Sequence, residues 1–432
     1  MLASRTLSAT IQPARRFRGR FLLAGDKSLS HRLAILAGLA HGRSRITNFS
    51  SAADCASTLS CLQALGVAVQ RRGGEVTVEG RGPGSWKVYS QPLDCGNSGS
   101  TLRMLAGALA GRPFQSTLTG DASLRRRPVE RIAAPLRAMG AGAQGTDGKP
   151  PLVIDGGPLR PITWDLPVPS AQVKTAVLLA GLDAPGVTSV REPAPSRDHT
   201  ERLLPAFGVE VERSGLLASV RGPARLEAVE MAVPGDVSSA AFLVVAALIL
   251  PDSEVRIDGV SLNPGRLGFV DVLRSMGADL EVSVDAAEPE PVGSIVARSS
   301  RLRGVDVAPA AVPGLIDEVP ALCVAAAHAV GRFTVSGASE LRIKESDRIA
   351  ALAEGLGRMG VRVEERPDGL AVEGGRPLHG AAVRAHDDHR IAMALAVAGL
   401  SAPGGTSIEG AECASVSFPE FYDVLARGAR GA

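Results

Sequence analysis

Lys27 and Ser28 follow the turn Gly25-Asp26 and precede the apolar run Leu33, Ala34, Ile35, Leu36, Ala37, so a lysine and a hydroxyl open a helix. Arg32 lies four residues after Ser28 and shares its helical face. A helix start favours an anion through its unpaired N–H groups and its dipole. The stretch Ala24 to Arg32, AGDKSLSHR, therefore suits a phosphate or carboxylate; a polar cap with a solvated lysine would use the same residues. The arrangement recurs. In CGNSGSTLR, Cys95 to Arg103, Gly96 and Gly99 let backbone amides approach a ligand, with a plain Gly-rich turn as the alternative. Further helix starts carry Pro169-Ser170-Ala171-Gln172 with Lys174, then Ile316-Asp317-Glu318, then Asp387-Asp388-His389-Arg390.

Two charged clusters lie between these helices. Leu124-Arg125-Arg126-Arg127-Pro128 is either a surface charge run or a clamp for phosphate or carboxylate, which Arg binds in bidentate fashion. In Glu340 to Arg348, a strand would put Arg342 and Lys344 on one side; exposed salt bridging is the alternative. A nucleotide P-loop is excluded, because Gly19 and Lys27 do not fit its GxxxxGK frame and Asp26 would repel phosphate. His389 with Asp387 and Asp388 could suggest a metal or a triad, but no nucleophile-elbow sequence supports that.

The elements that hold these residues repeat six times. Ala-rich apolar helices begin near Ser28, Ser100, Ala171, Ser238, Glu318 and His389, each followed by a short strand. In the first five repeats a second helix ends on Leu65-Gly66, Met139-Gly140, Phe207-Gly208, Met276-Gly277 or Met359-Gly360, where the glycine suits a C-cap. Alternating stretches then read as strands. The sixth repeat closes on a helix over Phe418 to Leu425. Helices apolar nearly all round imply burial, with strands outside them. The fold class is α/β, and six units divide as three plus three. Residues 25–234 form one domain, and 1–24 with 235–432 the other. The chain then crosses near Leu22–Gly25 and Pro234–Gly235, and two hinged globules can close on a ligand in the cleft between them. Asp285 to Pro291 reads as an acidic surface excursion.

At 432 residues the chain is too long for one ordinary core, and a net charge of +2 gives no case for nucleic acid. No apolar run is long enough for a membrane span. Cys55, Cys61, Cys95, Cys323 and Cys413 show no CxxC pairing, which suits reduced thiols and a cytoplasmic home. The acid-free start with Arg5, Arg15, Arg16, Arg18 and Arg20 mimics a transit peptide, but Phe21, Leu22 and Leu23 run into the first motif as a strand.

GDKSLSHR, GNSGSTLR, LRRRP, SAQVKTA, SRDHTER, DEVP, LRIKESDR, DDHR and SFPEF occur in that order over nearly the whole length. Together they resemble the 5-enolpyruvylshikimate-3-phosphate synthase family, in its divergent bacterial branch. The resemblance implies an inside-out α/β barrel in two domains, each of three βαβαββ units. It implies transfer of the enolpyruvyl group of phosphoenolpyruvate to the 5-hydroxyl of shikimate 3-phosphate, on the shikimate pathway to chorismate. A cytoplasmic monomer without metal or organic cofactor is implied, with no nucleic acid or membrane as partner.

Carried over by resemblance, Lys27, Ser28, Arg32, Ser170, Gln172, Ser196, Asp317 and Lys344 bind shikimate 3-phosphate. Lys27, Gly99, Arg127, Gln172, Arg348 and Arg390 hold phosphoenolpyruvate. Asp317 accepts the proton of the attacking hydroxyl; Glu345 moves a proton at the enolpyruvyl methylene, with Lys27 also in the catalytic set. Val416 stands where some members have lysine, Ala171 where some have serine, His199 where many have tyrosine and Glu340 where many have asparagine. Gly99 keeps the small residue expected where glyphosate competes. The rival within the same fold is the transferase acting on UDP-N-acetylglucosamine, which commonly bears a loop cysteine; no cysteine lies between Phe114 and Asp155. A non-catalytic anion-binding repeat protein explains Lys27 and the arginines but not Asp317 with Glu345.

Overall fold

Helices that are apolar on every face must be enclosed, and each half of the chain encloses three of them. The computed structural model describes residues 8–431. Residues 1–7, with Arg5 of the basic start, and residue 432 lie outside it. Two units are distinct: one comprises Ala24–Pro234 with Glu288–Glu290, the other the chain up to Leu23, Gly235–Ala287 and the chain from Pro291 onward.

In the first unit the enclosed helices are the first, third and fifth in chain order. Helix α1 (Lys27–Leu39) is buried from Leu29 to Leu39 and is capped by Asp26, whose carboxylate accepts from the Leu29 N–H at 2.9 Å. α2 (Ala53–Ala64), α3 (Gly99–Ala110) and α4 (Glu130–Met139) follow. Then come α5 (Ala171–Gly181) and the short α6 (His199–Leu203). Ser98 and Ser170 cap α3 and α5 through their side chains. Three four-stranded sheets surround these helices, each built on one plan. A short strand lies parallel to the strand that leaves the central helix, and an antiparallel hairpin completes the sheet. The sheet of the first repeat takes its short strand, Glu230–Ala232, from the end of the third, which closes the set of three.

The second unit repeats the plan with α7 (Val237–Ile249), α8 (Gly268–Ser275), α9 (Val319–His328), α10 (Arg348–Arg358), α11 (His389–Gly399) and α12 (Phe421–Arg430). Here α7, α9 and α11 are enclosed. Arg18–Leu22 pairs in parallel with Glu254–Ser261 and so supplies the short strand of the fourth repeat. The last sheet has three strands, with Ser8–Ile11 in place of the usual hairpin.

The five glycines expected at helix ends all take positive φ: Gly66 85°, Gly140 107°, Gly208 81°, Gly277 93° and Gly360 93°. A side chain is strained there, so the repeat keeps glycine at each second-helix terminus.

Three local expectations fail. Glu340 to Arg348 is not a strand: Ser339–Ile343 forms one 3-10 turn, held by Arg342 donating to the carbonyls of Arg366 and Pro367, and Asp347 then caps α10. The last helix starts at Phe421 rather than Phe418, because Pro419 disfavours helical backbone at the residue before it. Asp285 to Pro291 is exposed only in part, since Glu290 is buried beside His199 at 2.7 Å.

Candidate active site

Both units set charged side chains at their helix starts. In the first, Lys27 opens α1 and its ammonium lies 2.9 Å from Asp54 at the start of α2. Ser28 carries a backbone oxygen that accepts from Arg32 Nη1 at 2.9 Å. The rest of the Arg32 fork goes to hydroxyls, Nε to Thr200 at 2.8 Å and Nη2 to Thr175 at 3.0 Å. Burial pulls the Arg32 pKa down to about 10; Glu201 opposes the shift and the nearby charge of Arg197 adds to it. Two guanidinium groups close enough to feel each other suit an anion.

Gln172, on the first turn of α5, joins two elements. Its oxygen accepts from Arg103 at 2.6 Å and its amide donates to Ser100 at 2.8 Å, both on α3. Gly99 opens α3 beside two arginines. A Cβ there would lie 2.6 Å from Arg103 Nη1 and 3.3 Å from Arg127 Nη1, so only glycine leaves the guanidinium groups in place. Of the arginine trio, Arg125 and Arg126 are exposed and Arg127 is buried, donating to Asn97 at 2.7 Å. The trio is therefore one inward arginine and two solvated ones. Ser170 is spent in part on its cap, and the Ser196 hydroxyl donates to Glu192.

In the second unit Asp317, Lys344, Glu345, Arg348 and Arg390 form one cluster. Asp317 Oδ1 lies 3.4 Å from Arg348 and 4.0 Å from Lys344, and Oδ2 lies 3.7 Å from Arg390. Arg390 also donates to the Asp317 carbonyl at 2.9 Å, and Arg348 reaches Glu345 at 2.6 Å. The Arg348 guanidinium is buried, which opposes its charge, but Asp388, Glu345 and Asp317 together raise its pKa above that of ordinary arginine. The arrangement offers a carboxylate acceptor among three cations, with a second carboxylate one arginine away.

The helix-start motifs name Asp388 and Glu318 but give neither a partner. Asp388 is buried, holds Arg348 at 2.8 Å and accepts from the Arg390 N–H at 2.9 Å. Its signal, an acid before an apolar helix, was present in the DDHR stretch. Buried Glu318 accepts from Ser238 and lies 4.0 Å from both Arg266 and Arg390. Asp54, Asn97, Arg103 and Arg197 had no distinguishing pattern by themselves. Val416 is half-buried in the 3-10 turn Ala411–Val416.

Two three-repeat units with charged helix starts match the enolpyruvyl transferase class of fold. A solved enolpyruvyl transferase, NikO from Streptomyces tendae, shares that fold at a TM-score of 0.78 over 97% of this chain and 96% of its own, at 21% identity. Within the class, the sequence matches the family profile of EPSP synthase (3-phosphoshikimate 1-carboxyvinyltransferase) over residues 11–425, and the chain belongs to that family. A 3-phosphoshikimate 1-carboxyvinyltransferase of Gloeobacter violaceus is 51% identical over 97% of this chain and 98% of its own. One from Salinibacter ruber is 51% identical with the same coverage. A solved EPSP synthase from Acinetobacter baumannii has a TM-score of 0.87 at 43% identity, covering 98% of each chain. The chain is thus an enolpyruvyl transferase of the shikimate pathway, acting on phosphoenolpyruvate and shikimate 3-phosphate. No helix among the described residues is long and apolar enough to cross a membrane.

Proposed function

We propose that the charged helix starts serve an addition–elimination. Lys27, Gly99, Arg127, Gln172, Arg348 and Arg390 hold phosphoenolpyruvate; Lys27, Ser28, Arg32, Ser170, Gln172, Ser196, Asp317 and Lys344 hold shikimate 3-phosphate. Both substrates are small polyanions, so fixed guanidinium and ammonium groups supply most of their binding. A proton is added at the methylene carbon of phosphoenolpyruvate by Glu345 or Lys27, which makes the adjacent carbon electrophilic. The 5-hydroxyl attacks that carbon while Asp317 takes its proton. The tetrahedral adduct then loses a methyl proton, and its carbon–oxygen bond to phosphate breaks, releasing inorganic phosphate and the enolpyruvyl ether. One carboxylate as base and another as acid is the usual division where their surroundings differ.

The observation that carries the proposal is the placement of Asp317 within 4.0 Å of Lys344, Arg348 and Arg390, with Glu345 on the same arginine. A proton acceptor thus sits among groups suited to the charges of both substrates. The protein works as a cytoplasmic monomer and needs no metal or organic cofactor. Phosphorus NMR of the purified protein with both substrates, in EDTA, tests the reaction. Phosphate release that depends on shikimate 3-phosphate supports it; release only with UDP-N-acetylglucosamine assigns the sister reaction, and release with neither acceptor overturns catalysis.

A further inference from the structure

Lys174 is a buried cation that the proposed chemistry leaves without a task. Its side chain is 4% exposed, and its ammonium lies 2.5 Å from Glu192 and 2.7 Å from Glu201, which are equally buried. One cation faces two carboxylates, Glu201 also feels the charge of Arg32, and Glu201 Oε2 has no hydrogen-bond partner among the described residues. Stability alone does not account for such a set, since apolar groups of similar volume often serve as well or better.

The neighbours give the set a direction. Glu192 accepts the hydroxyl of Ser196. Glu201 follows Thr200, which takes Arg32 Nε at 2.8 Å. Thr175, the residue after Lys174, bonds that same Thr200 hydroxyl at 2.6 Å and accepts from Arg32 at 3.0 Å. Consecutive residues of α5 are therefore matched to consecutive residues of α6. One rung is ionic, Lys174 to Glu201, and the other is a pair of hydroxyls ending on Arg32.

We propose that Lys174 is a positioning residue for the phosphorylated acceptor. Its ammonium fixes Glu192, and through it Ser196, and offsets carboxylate charge that otherwise opposes a phosphate near Arg32. The proposal rests on the assignment of Ser196 and Arg32 to shikimate 3-phosphate.

Steady-state kinetics of Lys174→Met, Lys174→Arg, Glu192→Gln and Ser196→Ala test it, with thermal unfolding to establish folding. Lys174→Met is expected to raise KM for shikimate 3-phosphate at least tenfold, with KM for phosphoenolpyruvate and kcat changed less than twofold. Lys174→Arg keeps the charge and recovers most of the loss. Glu192→Gln leaves the Lys174–Glu201 pair intact but weakens the hold on Ser196, and raises the same KM severalfold; it decides the matter if Lys174→Met does not fold. An equal effect on both substrates, or a fall in kcat alone, makes the role structural and overturns the proposal. So does an unchanged KM in the folded Lys174→Met and Glu192→Gln variants when Ser196→Ala raises it. If Ser196→Ala itself has no effect, the Ser196 assignment fails first and this proposal falls with it.

Discussion

Arg348 Nε donates to Asp388 at 2.8 Å, and neither side chain reaches solvent. The pair ties the start of α10 to the start of α11, where Asp388 also accepts from the Arg390 N–H. Removing one charge of a buried pair leaves the other uncompensated, which costs roughly 3–5 kcal/mol. Asp388→Asn keeps the shape and the cap acceptor but loses the charge. It is expected to lower stability to urea by that amount, and a loss below about 1 kcal/mol would show that Glu345 and Asp317 alone suffice for Arg348.

Gly99 and Arg127 are coupled through space, so changing either should reach the same substrate. Gly99→Ala places a Cβ 2.6 Å from Arg103 Nη1 and 3.3 Å from Arg127 Nη1, and both guanidinium groups must move. Arg127→Ala removes the inward cation outright. Both are expected to raise KM for phosphoenolpyruvate by about tenfold or more, the scale of one lost charge-assisted hydrogen bond. KM for shikimate 3-phosphate should change less. The reverse ordering in steady-state kinetics would remove Arg127 from the phosphoenolpyruvate set.

The repeats were legible because each layer of the fold writes its own period. Enclosed helices such as α7 need apolar residues on every face, and the αL turn after each second helix needs glycine. The helix starts were legible for the same local reason, through Lys27 after Asp26 and Gly99 after Ser98. What escaped was set by pairings distant in sequence. Asp54 meets Lys27 across 27 residues, and Glu318 meets Ser238 across 80. No local pattern announces such a partner. The Arg342 and Lys344 segment misled because alternating letters suit a strand, whereas Arg342 is bound to carbonyls of a distant turn and Asp347 starts a helix.

His31 lies one residue from Arg32, fully buried, with Nδ1 against the Thr58 hydroxyl at 2.7 Å and no partner for Nε2 among the described residues. Burial, then the charges of Lys27 and Arg32, lowers its pKa well below the ordinary value. In the unfolded chain it titrates near 6.5. Below that pH the unfolded state binds a proton that the folded state refuses, so stability falls as pH drops and is fully present above about 6.5. His31→Gln is expected to flatten the urea stability profile between about pH 5 and 6.5 by up to ~1.4 kcal/mol per pH unit. An unchanged slope would assign the pH dependence to other groups, such as half-buried His328, whose pKa its surroundings also lower.

Asp317 offers the sharpest division between binding and turnover. Its carboxylate lies within 4.0 Å of Lys344, Arg348 and Arg390, so replacing it with asparagine leaves a similar shape and removes one negative charge from a cationic cluster. Polyanionic substrates should bind such a variant no more weakly through electrostatics. If Asp317 takes the proton of the attacking hydroxyl, its loss removes a general base, typically worth about 10²–10⁴ in rate. Asp317→Asn is therefore expected to bind phosphoenolpyruvate and shikimate 3-phosphate within a few-fold of the parent protein by calorimetry, while kcat falls by at least about a hundredfold. Glu345→Gln gives the companion measurement, because deuterium from solvent should enter the enolpyruvyl methylene more slowly when its carboxylate is gone. A fall in affinity matching the fall in kcat for Asp317→Asn would make the residue a substrate anchor. Turnover at the parent rate would move the proton to another acceptor, with Glu345, which shares Arg348, the candidate.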